Sequence, residues 1–266
     1  NDFENGNYIS RILEIETLKE KKIAKAIYAV HPSGEYSISL NFERCNFTRA
    51  YSYAQNVDVL WEDLPIEKDG ILKIDLINNT YKEILSLKDI INHENQPDYN
   101  KKHWLEHLMF NKSGTRFAFY HRFETEKGYY TRCLTADVYG QNVWALPLKD
   151  TEMISHLGWQ DDKNFVIFTR PQSKMQALWV GKPKQKVKDN SLRVFYRKFL
   201  KKLLPSFVKK NIVQNAIAYY MVVSDMNNRI GKIEVQPKGM DGHPSFSDSS
   251  RFMLTDTYAD SNNYRH

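Results

Sequence analysis

Three histidines in this chain stand three residues before an aromatic residue, and each such pair opens a similar stretch of sequence. The pairs are His107 with Phe110, His156 with Trp159, and His243 with Phe246. Imidazole binds zinc, manganese or iron and also acts as a general base. If the stretches are structural repeats, the rings occupy equivalent positions at one mouth of a central channel, where they are candidate ligand-binding or metal-binding groups. The alternative is a structural role, in which each imidazole hydrogen bonds to the neighbouring repeat's backbone.

A second set of candidate ligand-binding residues follows within the same stretches and consists of His121, Arg122 and Arg170. They stand where the second apolar segment of each stretch ends, which is predicted to be on the face that carries the histidines. Arginine binds carboxylates and phosphates through two parallel hydrogen bonds. Histidine and arginine on one rim suit an anionic or hydroxyl-rich ligand, such as a uronate-containing sugar. A solvated polar rim is the alternative, and the sequence assigns no catalytic residue.

The elements that must position these residues are strands. Four stretches, which begin at Ile27, His107, His156 and His243, share an apolar or aromatic anchor, a polar turn and a second run of β-branched and aromatic residues. The anchors are Val30, Phe110, Trp159 and Phe246. Each stretch therefore predicts a strand, a tight turn and a second strand.

Further hairpins follow three of the four stretches, with turns at Asn78-Asn79, Tyr139-Gly140 and Asn227-Asn228, where Gly or Asn favours a positive φ. Two strands from the stretch and two from the hairpin make four, which is the content of a propeller blade. The sequence therefore predicts an all-β fold, a β-propeller of four-stranded antiparallel blades. About four blades fall in this chain, so the propeller is incomplete.

The chain is predicted to form a single propeller domain over residues 1–266, with insertions at 44–68 and 173–215. A blade needs about 40 to 50 residues, and the first and third units are longer than that. In both units the excess falls between the second and third strands. Because the chain starts at Asn1 and stops soon after a strand-like run, we expect both ends to be cut from a longer protein.

The second insertion contains a strongly basic segment, residues 191–210. Between Lys182 and Lys210 there are eleven basic residues and one acid, in a chain whose net charge is +6. The apolar spacing predicts an amphipathic helix that ends near Pro205. Its basic residues suit an anionic membrane surface, and the candidates are Arg193, Arg197, Lys198, Lys201 and Lys202. A helix packed on the propeller rim, or one that binds an anionic polymer, is the alternative.

The turn segments resemble those of TolB-type and oligogalacturonate-lyase-type propellers, most closely in HPSFSDSSRFMLTDTY from His243 and HLMFNKSGTRFAFYHR from His107. The chain is also similar to uncharacterised bacterial propellers associated with surface-polysaccharide genes. The lyase resemblance implies a metal, manganese, held by histidines and a glutamine, with histidine and arginine in catalysis. Where that family has paired histidines before PSF, only His243 matches, and Asp241 stands at the other position.

Three functions follow from these observations. The first is a carbohydrate-recognition propeller that binds or acts on an acidic bacterial polysaccharide. The second is an enzyme, a metal-assisted polysaccharide lyase of oligogalacturonate type, for which a divalent metal would be needed. The third is a membrane-associated scaffold for protein interactions. No nucleic acid partner is predicted, because the excess positive charge is confined to one segment.

The cysteine content and the hydropathy bear on location. Cys45 and Cys133 are the two cysteines and provide no disulfide framework. No apolar run is long enough to span a membrane as a helix. We therefore predict a cytoplasmic protein, free or attached to the membrane surface, although a signal peptide lost at the N-terminus stays open.

Overall fold

A computed structural model of the chain describes residues 1–48, 60–93, 98–125, 128–148, 152–171, 218–227, 229–234 and 241–257. The 173–215 insertion, the basic segment 191–210 and its five membrane-surface candidates lie outside the described residues. Within these ranges the chain forms five antiparallel sheets, each built from strands that follow one another in sequence.

Three of the sheets have four strands and are called blades I, II and III. An N-terminal sheet of three strands precedes them, with β1 (Asp2–Glu4), β2 (Asn7–Leu13) and β3 (Glu20–Ile23). Blade I contains β4 (Ala29–Val30), β5 (Tyr36–Ser39), β6 (Gly70–Asp75) and β7 (Thr80–Ser86). Blade II contains β8 (His103–Phe110), β9 (Arg116–Thr125), β10 (Gly128–Asp137) and β11 (Trp144–Ala145). Blade III contains β12 (Glu152–Trp159), β13 (Asn164–Pro171), β14 (Tyr219–Ser224) and β15 (Arg229–Ile233).

A C-terminal hairpin of β16 (Ser245–Phe246) and β17 (Met253–Leu254) follows blade III. The first strand of each unit contacts the first strand of the next, from β4 to β8, β12 and β16. The first strands therefore form the inner edge of the assembly, and the later strands of each blade extend outwards. This arrangement confirms the predicted fold class, an incomplete all-β propeller of four-stranded antiparallel blades.

The blades pack face to face because alternate residues of one strand point to opposite neighbours. In β9, Phe117 and Phe119 join the core that contains residues of blade I, whereas Ala118 and Tyr120 join the core shared with blade III. All four side chains are fully buried. A strand with both faces buried reads as a continuous apolar run, which is the pattern that the sequence shows here.

Two kinds of tight turn agree with the sequence pattern. Asn79 and Gly140 have the predicted positive φ in the outer hairpins of blades I and II, whereas Met226 has it in blade III. Gly114, in the inner turn of blade II, has φ +74° and faces blade I. A Cβ added at Gly114 would stand 1.9 Å from Nε2 of His31, so this turn needs glycine for its close approach as well as for its conformation.

The anchors differ between the units. Phe110 and Trp159 are buried, and the indole nitrogen of Trp159 donates to the Met109 carbonyl of blade II at 3.1 Å. Phe246 is partly buried, but Val30 in blade I is 52% exposed. Strand β4 is only two residues long, and Tyr28 and Ala29 pack against the core in its place.

Two α-helices interrupt the strands in the described ranges, and two short 3-10 helices, Trp61–Asp63 and Ile66–Lys68, precede β6. Helix α1 (Phe42–Thr48) lies between β5 and β6, and its Arg44 forms a buried ion pair with Asp69 at the start of β6. Helix α2 (Leu87–Asn92) links blade I to blade II, and the Ser86 side chain caps it by accepting from the backbone of Asp89. The sequence pattern predicts no helix here, and the apolar side of this short helix is buried. None of the helices in the described ranges has the length and hydropathy that a membrane-spanning helix requires.

Candidate functional site

Bulges in the inner strands position two of the three repeat histidines. In blade II the pairing of β8 with β9 shifts between Glu106 and Met109, and His107 lies in this bulge with φ +57°. In blade III the pairing of β12 with β13 shifts between Ile154 and Leu157, which places His156 in an equivalent bulge. A bulge leaves a residue out of the ladder and redirects its side chain. Both imidazoles therefore depart from the regular alternation of their strands.

The structure brings the three histidines together in one row. The ring centroids of His107 and His156 are 5.6 Å apart, and those of His156 and His243 are 4.0 Å apart. His107 and His156 are half-buried, whereas His243, just before β16, is exposed. The row thus runs from blade II through blade III to the C-terminal hairpin. Together with Arg170 and Asp241, these residues are called the histidine site.

Two carboxylates stand beside this row. Asp256 Oδ1 is 2.9 Å from Nδ1 of His243 and also accepts from the His243 backbone N–H at 2.6 Å. These hydrogen bonds lower the pKa of Asp256. Asp241 Oδ2 lies 4.0 Å from Nε2 of His156. Burial raises the pKa of Asp241, and hydrogen bonds from Ser155 and Gly242 oppose this increase.

Arg170 and Asp241 leave polar atoms without partners. The Nε atom of Arg170 and the Oδ1 atom of Asp241 are buried, and neither has a hydrogen-bond partner among the described residues. The two side chains influence each other electrostatically, since the positive charge of Arg170 opposes the increase in the pKa of Asp241. They do not come within ion-pair distance of each other. A buried polar atom without a hydrogen bond lowers the stability of the fold. A donor and an acceptor that both lack partners beside three imidazoles therefore need an explanation.

Arg122 is not on the open rim, as the sequence had predicted, but inside blade II. Its side chain is 3% exposed, and Nη1 donates to Oε2 of Glu106 at 2.5 Å. Glu106 also accepts from the Trp104 indole at 2.7 Å, and Oε2 stands 3.4 Å from Nδ1 of His107. The aromatic ring of Tyr129 covers the guanidinium at 5.0 Å. Arg122 therefore neutralises a buried glutamate that lies behind His107.

His121 is also misplaced by the sequence prediction. It is fully buried, with Nε2 3.0 Å from Nδ1 of His103 and Nδ1 3.2 Å from the Arg132 guanidinium. Burial, and then the charge of Arg132, lowers the pKa of His121 well below 6.5. The cause of the error is the pleat, because neighbouring residues of a strand point to opposite faces and the sequence prediction put both His121 and Arg122 on one rim.

The residues that sequence reasoning missed are acids and a tyrosine. Glu106 lies beside the His107 ring inside blade II. Its sequence signal is a charged residue within an apolar strand segment. Tyr120 is fully buried, its ring lies 4.8 Å from the His107 ring in a tilted arrangement, and its hydroxyl donates to the Ser155 carbonyl. Asp256 lies thirteen residues after its partner His243. No local pattern predicts that pairing, because it forms across the C-terminal hairpin.

The lyase resemblance implies manganese as a bound metal at this site. In the described part of the chain, no three His, Cys, Asp or Glu side chains are arranged to hold a metal ion. In this arrangement the described residues therefore do not provide the ligand set of a manganese ion.

The fold and the site together define an incomplete β-propeller with basic and acidic groups gathered near its inner strands. Similar solved structures include hydrazine synthase of Kuenenia stuttgartiensis, with 12% sequence identity, a TM-score of 0.45, and coverage of 97% of this chain and 64% of that one. An oligogalacturonate lyase in complex with manganese is similar with 12% identity and a TM-score of 0.47, over 98% of this chain and 59% of that one. The chain thus spans less than two thirds of either protein.

No family model and no curated protein matches the chain. An oligogalacturonate lyase is thus among the similar structures, at low identity. The relation to TolB-type propellers stays a prediction.

Proposed function

We propose that the histidine site binds an acidic oligosaccharide, and that the chain is part of a carbohydrate-recognition propeller. The observation that carries this proposal is a pair of buried atoms, Nε of Arg170 and Oδ1 of Asp241, that have no hydrogen-bond partner among the described residues. A ligand with both a carboxylate and hydroxyl groups would satisfy the two atoms at once. A purely anionic ligand would satisfy the guanidinium and be repelled by the carboxylate.

The roles within the site follow from the chemistry of each group. Arg170 is the donor for a uronate carboxylate, because charge-assisted hydrogen bonds from guanidinium to carboxylate are short and strong. Asp241 accepts from sugar hydroxyls, as does any imidazole nitrogen that carries no proton. His243 is exposed and Asp256 orients its ring, so this end of the row is the entrance for the ligand. The alternative, a polar rim that is solvated and binds no ligand, does not account for buried atoms of Arg170 and Asp241 that have no partner among the described residues.

Calorimetric titration with oligomers of galacturonate, and with neutral oligomers of galactose, tests the proposal. We expect the acidic oligomer to bind and the Arg170→Gln variant to bind it about tenfold more weakly or worse, since one charge-assisted hydrogen bond is lost. Arg251→Gln is the matched control, because Arg251 is an exposed arginine of the C-terminal hairpin. Equal affinities of wild type and Arg170→Gln would overturn the proposal.

The same samples separate binding from catalysis. A polysaccharide lyase releases an unsaturated uronate, whose ultraviolet absorbance increases as the glycosidic bond is eliminated. Tight binding of the acidic oligomer without that absorbance identifies a recognition module. An absorbance increase that Arg170→Gln removes identifies the enzyme alternative. The scaffold alternative depends on residues 191–210, which lie outside the described residues, and it stays a prediction.

A further inference from the structure

Blade I carries a surface cleft that the histidine site does not use. Its volume is about 400 Å³, and side chains of β5, β6, β7 and the β6–β7 turn line it. Two lysines and two tyrosines dominate the lining, namely Lys73, Lys82, Tyr36 and Tyr81. The cleft lies at the end of blade I where β5 begins and β6 ends, away from helix α1, which lies at the opposite end of these strands.

The two lysines face each other directly. Lys73 of β6 pairs with Lys82 of β7 in the ladder, so both ammonium groups extend from one face of the sheet. Like charges directly opposite each other destabilise an antiparallel pair. Burial, and next the charge of Lys82, lowers the pKa of Lys73. Within the described residues neither ammonium forms an ion pair, and the charge of Asp75 and the ring of Tyr36, 3.6 Å from the Lys73 ammonium, offset this repulsion only in part.

The acids that line the cleft do not neutralise the lysines. Asp75 is the residue before the β6–β7 turn, and its carboxylate accepts from the backbone of Ile77 and Asn78 at 2.8 Å each. It also accepts from the Asn78 side chain at 2.9 Å, and these hydrogen bonds lower its pKa. Asp75 is therefore committed to the turn. In the described part of the chain Glu35, at the edge of the cleft, forms no ion pair with either lysine, so its carboxylate can accept a hydroxyl.

The tyrosines give the cleft an apolar side. Tyr36 is stacked on His31 at 4.1 Å, and the Lys73 ammonium lies 3.6 Å from its ring centroid. Tyr81 is 51% exposed, beside Ile77, which is 63% exposed. Aromatic rings next to hydrogen-bonding groups fit ligands that are apolar on one face and polar at the edge. A sugar ring has that form, and an acidic sugar also carries the carboxylate that two lysines need.

From this lining we infer that the cleft is a second binding site for a uronate unit of an acidic oligosaccharide. The carboxylate would be held between Lys73 and Lys82, and Glu35 would accept a ring hydroxyl. This inference rests on the proposed function, because it takes the ligand class from the histidine site. Two sites on one chain would increase the apparent affinity for a long polymer without any new contact.

Lysine footprinting tests the inference. The protein is acylated slowly with and without galacturonate oligomer, and mass spectrometry follows the modification of individual lysines. We expect the oligomer to slow labelling of Lys73 and Lys82 several-fold. Lys22, a half-exposed lysine that pairs with Glu4, should be labelled at the same rate under both conditions. The neutral galactose oligomer should protect neither cleft lysine.

The Arg170→Gln variant keeps the two proposals distinguishable. If the histidine site of that variant no longer binds the oligomer and the cleft still does, Lys73 and Lys82 stay protected, and calorimetry shows binding at the cleft alone. In the wild-type protein, labelling of both lysines is measured at an oligomer concentration that saturates binding in calorimetry. If the oligomer leaves that labelling unchanged, the proposal of a cleft site is overturned and the proposal for the histidine site stands. Equal protection by the neutral oligomer would overturn the role of the lysine pair. Lys82→Gln, at an exposed position of β7, should weaken protection of Lys73 about tenfold without unfolding the chain.

Discussion

Two arginines in this molecule, Arg122 and Arg170, each lie near a carboxylate, but only Arg122 forms an ion pair with it. In blade II, Arg122 donates to Glu106 at 2.5 Å, and both side chains are almost completely buried. In the histidine site, Arg170 and Asp241 are half-buried and do not pair, and each keeps a buried atom without a partner among the described residues. Arg122 also has an unpartnered Nε, but its charge is compensated and aromatic rings cover it.

The difference teaches how a structural pair can be told from a binding pair. A charge that is sealed inside the core needs its partner in every state of the folded chain. A charge that reaches the surface can be left uncompensated until a ligand arrives, at a cost in stability that binding recovers. By this criterion Glu106 and Arg122 stabilise the fold behind His107, whereas Arg170 and Asp241 are the pair for which we propose ligand binding.

The largest expected effect comes from removing the charge of Glu106. Glu106→Gln leaves the buried guanidinium of Arg122 uncompensated, and we expect a loss of about 3 to 5 kcal/mol in the free energy of unfolding. Urea denaturation measures it. Glu124→Gln, an exposed position on the same strand as Arg122, is the control and should change stability by less than about 0.5 kcal/mol. A cost below about 1 kcal/mol for Glu106→Gln would mean that the blade II pair is not structural.

A smaller effect concerns His121, which is buried and surrounded by His103 and Arg132. Its pKa is lowered from 6.5, so below pH 6.5 the unfolded chain takes up a proton that the folded chain excludes. Stability therefore falls as the pH falls from 6.5 towards the lowered pKa, by at most about 1.4 kcal/mol per pH unit. Denaturation at a series of pH values should show this slope, and His121→Gln should flatten it. An unchanged slope in the variant would assign the acid sensitivity to other groups.

The smallest expected stability effect is that of Asp241→Asn. Burial raises the pKa of Asp241, so ionisation of this group disfavours the folded state as the pH rises above 3.8, its unperturbed value. Replacing it with asparagine should therefore leave stability at neutral pH unchanged or slightly higher, within about 1 kcal/mol. Affinity for the acidic oligomer should nevertheless fall about tenfold, because an acceptor for sugar hydroxyls is lost.

Asp248→Asn, at an exposed position of the C-terminal hairpin, is the matched control and should change neither stability nor affinity. A large loss of stability in Asp241→Asn would remove the contrast with Glu106, since both acids would then be structural.

The sequence predicts the fold well because four repeats carry the same order of apolar run, turn and apolar run. The positive φ values at Asn79 and Gly140 follow from local turn chemistry alone, and the structure has them. Helix α2 is missed because six residues are too few to show a helical period, and its first residue, Leu87, continues the apolar run of the preceding strand.

The site is predicted less completely than the fold. The identical offsets of His107, His156 and His243 from their aromatic residues anticipate their grouping, because repeat position is readable from sequence. The bulges that aim His107 and His156 depend on the register with the neighbouring strand, which no single segment encodes. His121 and Arg122 are neighbours in β9 and point to opposite faces, so they cannot share one rim, and both side chains are buried.

The central claim is that Arg170 and Asp241 are unpaired because a sugar acid pairs with them. A crystal structure of the protein with a galacturonate oligomer tests this most directly. The account predicts a uronate carboxylate oxygen within about 3 Å of Nε of Arg170, and a sugar hydroxyl at a similar distance from Oδ1 of Asp241. An oligomer bound elsewhere, with Arg170 and Asp241 unchanged from the free protein, would contradict it.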